Sequence, residues 1–305
     1  MSRLFDALQR SATEQSGIET PDMMSLISSL QLPSEQDEQT EPTPEPKPEL
    51  GQLVADGVQE ASDLEDQTTA DRPLNFPTVD VLVTPPSRLV FLTEPDSLAA
   101  EKFRFLGVRL RHLRQNRPLK KVLITSTIPE EGKSLVSANL AGVLARRKQK
   151  VLLVEGDLRR PSLAQQFGLR GLRGLGEWLQ SGQQKALNIF YLRRPNFWLM
   201  PAGHPLENPL ELMQSGRLVE CMRQVEPLFD WIIVDSPPLL PLADTSVWER
   251  LTDGTLLVAR EGKTEKAALQ EGVALLKQSD LLGIVLNGCT NLNRSYYRYY
   301  STPAT

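Results

Sequence analysis

The stretch VLITSTIPEEGKSLVSANLA, Val122 to Ala141, decides the fold. Val122 to Thr125 is a short apolar and β-branched run closed by the turn formers Ser126 and Pro129, which marks a buried strand rather than part of a helix. A tight loop with Gly132, Lys133 and Ser134 follows, and then a helical pattern. These residue types at this spacing suit phosphate. Gly132 lets the main chain approach an anion, Lys133 supplies a point charge for the β and γ phosphates, and Ser134 offers a hydroxyl to Mg2+. The loop opens a helix, so free N–H groups and the positive dipole end face the same anion. The first glycine common in such loops is absent, since Thr127 stands five residues before Gly132.

Downstream, apolar runs and helical patterns alternate. Strands are expected at Val151–Glu155, Trp231–Asp235, Thr255–Ala259 and Gly283–Asn287, with a further apolar stretch at Phe197–Pro201. Helical patterns separate them at Ser162–Phe167, Leu175–Gln180, Pro209–Val225, Leu242–Leu251 and Thr264–Gln278. Near-continuous apolar strands between helices call for an α/β fold, a mostly parallel sheet with helices on both faces. Ligands of such sheets sit beyond the carboxyl ends of the strands. The phosphate loop, Asp157 and Asp235 all fall at strand ends and should converge there. No internal repeat is visible.

Upstream the composition changes. The chain has 305 residues and a formal net charge of −4. Glu35 to Asp71 hold 12 acidic residues against a single Lys47, and residues 1 to 34 carry four acidic and two basic, which leaves Arg72 to Thr305 at +9. A basic globular part behind an acidic arm is compatible with ATP, acidic partners, nucleic acid or anionic lipid. From Pro33 to about Pro73 the chain is Glu-, Pro-, Gln- and Thr-rich without aromatics, the composition of a disordered linker. The expected organisation is short amphipathic segments at 1–32, the linker at 33–80, a phosphate-loop domain at 81–290 and a tail at 291–305. The two N-terminal apolar patches, Leu4, Phe5 and Leu8, then Met23 to Leu30, serve either as docking peptides or as amphipathic ends packed on the core. After Pro95, Leu98, Phe103, Leu106, Leu110 and Leu113 form a helical stripe opposite Lys102, Arg104, Arg109, Arg111 and Arg114. No nucleic-acid motif accompanies that basic face, so a solvated or oligomer-forming helix is expected and nucleic acid is not. Cys221 and Cys289 lie far apart with no histidine at ligand spacing, the usage of a reduced, cytoplasmic protein. No apolar run reaches the roughly 20 residues of a membrane span, and no signal-peptide core is present, so membrane association is expected through a partner or a surface contact.

Three groups carry chemistry. Asp235 ends the strand WIIVD, where a carboxylate in a phosphate-loop protein holds Mg2+ or its water. In VLLVEGDLRRP, Glu155, Asp157 and Arg159 follow another buried strand. Two carboxylates there could reach a metal-bound phosphate and one could take a proton from an attacking hydroxyl, a reading favoured over Asp157 merely capping the next helix. Finally, four of the five tyrosines, Tyr296, Tyr297, Tyr299 and Tyr300, crowd the last ten residues. A tail dense in phenols suits a substrate better than an edge strand or a platform for stacking bases.

Jointly these residues resemble the bacterial tyrosine kinase family, soluble kinases of capsule and exopolysaccharide systems related to the MinD and ParA ATPases. The likeness runs from about Pro85 to Tyr300. TSTIPEEGKS is similar to its Walker A, VLLVEGDLRRP to its Walker A′ and DWIIVDSPP to its Walker B. PAGHPLENPLELM, GTLLVAREGKT and GIVLNG resemble the segments around Walker B. The resemblance implies ATP and Mg2+ as cofactors, with Glu131, Gly132, Lys133, Ser134 and Leu135 around the phosphates and Asn287 near the adenine. It places Ser134, Asp157 and Asp235 at the metal, and Glu155 with Asp157 in the A′ pair that activates the tyrosine hydroxyl. It further implies autophosphorylation at Tyr296, Tyr297, Tyr299 and Tyr300, and a ring joined through Glu101 and Arg104 in which one tail enters the next site. A membrane-bound activator of the polysaccharide chain-length regulator type would recruit the protein to the inner face of the membrane. Three positions depart from the family pattern. Glu155 stands for Asp, Gly107 for the last Arg of the ring motif E-x-x-R-x-x-R, and Glu130 for a frequent Gly.

The expected function is a cytoplasmic, ATP-dependent tyrosine autokinase that regulates exopolysaccharide synthesis or export. The rival is a switch ATPase of the MinD or ParA type, against which Ile128 stands where that group has a lysine five before Lys133, and the tyrosine tail would have no use. An inactive scaffold, made possible by Glu155, is the third reading.

Overall fold

The structure, a computed structural model, describes residues 76–81, 88–146, 148–181, 186–240, 243–276 and 281–289. The N-terminal segments, most of the acidic arm and the tyrosine-rich tail lie outside these residues. In chain order the elements are β1 (Thr78–Val79), α1 (Val90–Thr93), α2 (Leu98–Asn116), β2 (Lys121–Ser126), α3 (Lys133–Ala145), β3 (Val151–Glu155), α4 (Leu163–Gln166) and α5 (Leu175–Ser181). There follow β4 (Phe190–Leu192), β5 (Phe197–Met200), α6 (Pro209–Gln214), α7 (Arg217–Val225), β6 (Trp231–Asp235), α8 (Asp244–Glu249), β7 (Gly254–Arg260), α9 (Lys266–Leu275) and β8 (Leu281–Asn287).

The eight strands form one sheet in the order β1-β4-β5-β3-β6-β2-β7-β8. From β5 to β8 every pairing is parallel. The central strands are apolar on both faces because both faces are covered. Successive side chains point to opposite layers. In β2, Val122 and Ile124 join one core and Leu123 the other, while β6 divides Trp231 and Ile233 from Ile232 and Val234 in the same way. The first layer is built on α1, α2 and α3, the second on α5, α7 and α8. A smaller cluster of Leu239, Leu257 and Leu276 seats α9.

Helix α3 is buried almost throughout, Val136 to Ala145, since the sheet lies on one side of it and α1 and α2 on the other. That sandwiching demands small residues. A Cβ on Gly142 would fall 2.1 Å from the ring of Phe91, which is itself buried. Of the stripe expected on α2, Leu110 is buried and Phe103, Leu106 and Leu113 are half-buried against the same core, with Ala100 and Gly107 buried beside them. Part of its basic face is used within the molecule, as Arg114 lies 4.8 Å from the Trp231 ring and donates to the Asp230 carbonyl.

The α/β class and the mostly parallel sheet are as the sequence indicates. Three details differ. The sheet takes in Thr78 and Val79, which pair with β4. A hairpin, β4 antiparallel to β5, stands where only an apolar stretch from Phe197 was expected, and Asn196 turns it with φ 60°. The single helix expected over Pro209–Val225 is two, broken at Gly216, whose φ of 79° ends one helix and starts the next.

Because α3 carries the phosphate loop, its packing can be probed directly. Gly142→Val is expected to lower stability by about 1–3 kcal/mol through displacement of Phe91, measured by urea unfolding, whereas Val219→Ala on the exposed side of α7 should change it little.

Candidate active site

The loop between β2 and α3 is shaped from inside. The Glu131 carboxylate is fully buried and accepts the Thr127 hydroxyl at 2.9 and 3.1 Å, the Ile128 N–H at 2.9 Å and the Thr264 hydroxyl. Its side chain therefore faces the fold, and its carbonyl accepts Asn287 Nδ2 at 2.9 Å. Gly132 has φ 95°, and a Cβ there would meet that same Asn287 nitrogen at 2.1 Å, so any other residue would be strained and would displace Asn287. Glu130 also takes a left-handed φ of 65°, a conformation that favours glycine. Lys263 Nζ at 2.7 Å from Glu130 Oε2 and Arg260 on the Glu130 carbonyl at 3.2 Å hold this conformation. The Lys263 ammonium keeps the Glu130 carboxyl below its usual range.

Lys133 opens α3, and its ammonium stands between two carboxylates, 3.4 Å from Asp157 Oδ2 and 4.0 Å from Asp235 Oδ2. Asp235 is buried, and its Oδ1 accepts the Ser137 hydroxyl at 3.0 Å. Burial pushes the Asp235 carboxyl up, while Lys133 and the Ser134 and Ser137 hydroxyls pull it the other way. Asp157 does not cap the next helix, whose N-cap is Ser162. Its Oδ1 accepts the Arg160 N–H at 3.0 Å in a tight turn, which leaves Oδ2 toward Lys133. Gly132, Lys133, Ser134, Leu135, Asp157 and Asn287 together line a cavity of about 820 Å³.

Glu155 is not brought to that cavity. Its Oε1 accepts the N–H groups of Leu163 and Ala164, and its Oε2 that of Ala202 at 3.0 Å. Burial pushes the Glu155 carboxyl up against these three donors. The side chain ties the start of α4 and the end of β5 to β3, and of the A′ pair only Asp157 faces Lys133. Glu101 and Arg104 lie on α2, paired with each other at 2.5 Å, and Arg104 also donates to the Pro95 carbonyl. The four tail tyrosines lie outside the described residues.

One part of the site carried no sequence signal. Buried Asp244 of α8 holds Arg159 in a fork, Oδ2 to Nε at 2.6 Å and Oδ1 to Nη2 at 3.1 Å, and Arg159 Nη1 donates to the Glu207 carbonyl at 3.0 Å. Trp248 donates to the Gly156 carbonyl at 3.1 Å, and Thr245 to the Pro237 carbonyl at 2.9 Å. Helix α8 therefore braces the turn after β3 and the turn after β6 at once. These partners are 85 or more residues from Arg159 and Gly156, or turn on main-chain atoms, so no local pattern reveals them.

The donors suit a magnesium nucleotide. Lys133 and the N–H groups opening α3 match phosphate. One hydroxyl, Ser134, and one carboxylate, Asp235, form the sparse hard-oxygen set that Mg2+ completes with phosphate oxygens and water.

Fold and loop together define a phosphate-loop α/β protein. No protein-family model matches the chain. It is 35% identical over 217 residues to the tyrosine-protein kinase YwqD of Bacillus subtilis (strain 168), covering 70% of this chain and 91% of that one. It is 30% identical over 210 residues to the putative tyrosine-protein kinase CapB of Staphylococcus aureus, 68% of this chain and 92% of that one. Among solved structures, the kinase domain of the Escherichia coli tyrosine kinase ETK superposes with a TM-score of 0.63 at 30% identity, covering 67% of this chain and 82% of that one. The chain belongs to the bacterial tyrosine-protein kinases.

Two expectations follow from the bracing contacts. Asp244→Ala removes both carboxylate acceptors of the fork on Arg159, leaving only the Glu207 carbonyl, and should cost about 1.5–3 kcal/mol in urea unfolding. At Glu177, burial opposes ionisation, but the N–H donors of His204 and Gly174 and the His204 ring prevail and hold the carboxyl at about 2. A depressed carboxyl contributes stability above its unfolded value of about 4.3 that disappears as pH falls through the folded value. The wild type should thus lose on the order of 1–2 kcal/mol more than Glu177→Gln between pH 5 and pH 2, as read from unfolding curves across that range.

Proposed function

We propose that this chain uses ATP and Mg2+ to phosphorylate its own tail at Tyr296, Tyr297, Tyr299 and Tyr300, between subunits of an oligomer. The observation that carries the reading is Lys133, which lines the cavity with Asp157, standing between Asp157 and the buried Asp235. An ATPase of this fold requires a metal carboxylate, which Asp235 supplies. The second carboxylate, Asp157, leaves a base beside the transferred group. Lys133 and the loop N–H groups hold the β and γ phosphates, Ser134 and Asp235 hold Mg2+, Asp157 stands at its edge, and Asn287 lies toward the adenine. Bound there, the nucleotide supplies the phosphoryl group and the metal screens its charge. Asp157 takes the proton from the tyrosine hydroxyl as its oxygen bonds to the γ phosphorus and the bond to the β–γ bridging oxygen breaks, releasing ADP. Glu155 acts by fixing the A′ turn, which is compatible with activity although it does not face the phosphates.

The wider setting rests on the family resemblance. It comprises a membrane-bound activator of the polysaccharide chain-length regulator type, recruitment to the inner face of the membrane, and regulation of exopolysaccharide synthesis or export. No helix among the described residues is long and apolar enough to cross a membrane. On α2, Glu101 is exposed and its partner Arg104 half-buried, and Glu101 is the member more open to a neighbouring subunit.

Incubation with labelled ATP and Mg2+, followed by mass spectrometry, tests the reading. Label is expected on Tyr296 to Tyr300 and should fall by about a hundredfold or more in Lys133→Met, in line with loss of a charge-stabilising group. Replacing the four tail tyrosines with Phe should abolish label and leave ATP binding intact. Turnover of ATP without protein label would assign the chain to the switch ATPases instead.

A further inference from the structure

Five cationic side chains line the cavity, those of Arg88, Lys133, Arg159, Arg160 and Arg260. Three are engaged. Lys133 faces Asp157 and Asp235, Arg159 is forked on Asp244, and Arg260 donates to the Glu130 carbonyl. Among the described residues no carboxylate lies within ion-pair reach of Arg88 or Arg160.

Their placement is specific. In the sheet, β2 stands between β7 and β6. Toward β7 and β8 the wall of the cavity is Arg260, Asn287 and Gly288, and toward β6 and β3 it is Asp157, Arg160 and Ser162. With the nucleotide base at the Asn287 end, the β3 end is left for the acceptor. Arg160 belongs to that end, and its N–H is bonded to Asp157 itself, so its position is fixed relative to the base. The Arg88 carbonyl accepts Asn139 Nδ2 of α3 at 3.0 Å, which anchors it over the helix that carries the loop. Helices α3 and α4 share one layer, so both arginines stand on the same face of the sheet. Arg88 keeps a left-handed φ of 52°, a conformation rare outside glycine, and such strain persists where the surroundings enforce it.

Two guanidinium groups that line the cavity with Asp157, and have no carboxylate partner among the described residues, suit a phosphate monoester dianion, which arginine binds in a bidentate fork. The nucleotide phosphates already have the loop and Lys133. In the tail, Tyr297 and Tyr299 are two apart, so in an extended chain they project to the same side about 7 Å from each other. We propose that Arg160 and Arg88 form a phosphotyrosine subsite that holds an already phosphorylated tail tyrosine while a neighbouring hydroxyl is presented to Asp157. Resting on the kinase reading, it makes each phosphorylation favour the next along the cluster.

The test uses the full-length chain with its four tail tyrosines changed to Phe, and synthetic peptides spanning residues 293–305. One peptide is unmodified, one carries phosphotyrosine at Tyr297, and one carries phosphoserine at Ser301 as a charge control. Fluorescence anisotropy in the presence of ADP and Mg2+ should show about tenfold tighter binding of the Tyr297 phosphopeptide than of either other peptide, the gain of a charge-assisted fork. In the combined variant Arg88→Gln and Arg160→Gln that ratio should fall to about one, with Arg160→Lys between, and a thermal melt confirms that each variant is folded. Equal affinities in the parent, or a ratio that survives in the double variant, would overturn the subsite. A double variant that weakens ADP as much as phosphopeptide would reassign the arginines to the nucleotide. Transfer of label to the peptides is read separately, so failure of the kinase reading shows as no transfer to any peptide whatever the binding ratio.

Discussion

The site depends on the parallel register of β6 with its two neighbours. Asp235 pairs with Ile124 of β2 on one side and with Glu155 of β3 on the other, and the Gly156 N–H is bonded to the Asp235 carbonyl at 2.7 Å. Three chain segments thus leave the sheet at one level, and three polar turns form one wall. A slip of one residue in β6 would carry its apolar side chains to the wrong layers, exchanging Ile233 for Ile232 and sending the carboxylate of Asp235 to the opposite face. Both cores therefore enforce the register that places Asp235 within reach of Lys133.

Around this frame the charged groups are distributed unequally. Glu131 and Glu155 are spent on main-chain N–H and hydroxyl donors, and they shape the loop and the A′ turn from behind. Asp157 and Asp235 are spent on Lys133. Moving a charge from water into the interior is costly, and each buried carboxylate here is offset by several donors or an ammonium. The result is a cavity whose negative groups are pinned and whose remaining free charge is positive at the end where Arg88 and Arg160 stand.

Much of this was legible from local pattern. The loop was readable because Gly132, Lys133 and Ser134 are contiguous and because an apolar strand and helix flank them. Val151–Glu155 and Trp231–Asp235 match the expected strands, since buried parallel strands are continuous apolar runs with polar residues at the ends. What failed was long-range or conformational. The β4–β5 hairpin is two short runs, FYL and FWLM, around a Pro-Asn turn, and three residues are too few for period to register, although the turn itself was a signal. The break at Gly216 sits in an otherwise helical pattern, where a glycine is usually tolerated. The direction of the Glu155 side chain was invisible, because its period-2 position says which face it joins but not that Leu163, Ala164 and Ala202 would bring their N–H groups to it. Asp244 and Arg159 meet across 85 residues, beyond any sequence window.

The positions of β1 and β8 carry a last consequence. They are the two outer strands, so the chain enters the sheet at one border from the acidic arm and leaves it at the other toward the tyrosines. Seven strand spacings of roughly 4.8 Å put those borders about 34 Å apart. The protomer is thus polar in the crystallographer's sense, with unlike ends. On the proposed reading, a tail given by one copy to the cavity of the next would join unlike surfaces, a heterologous contact, and such contacts either close into a cyclic assembly or propagate without limit. Closure would depend on a rotation angle per subunit, which confers on the edge-to-edge geometry of the sheet a say in how many kinases act together.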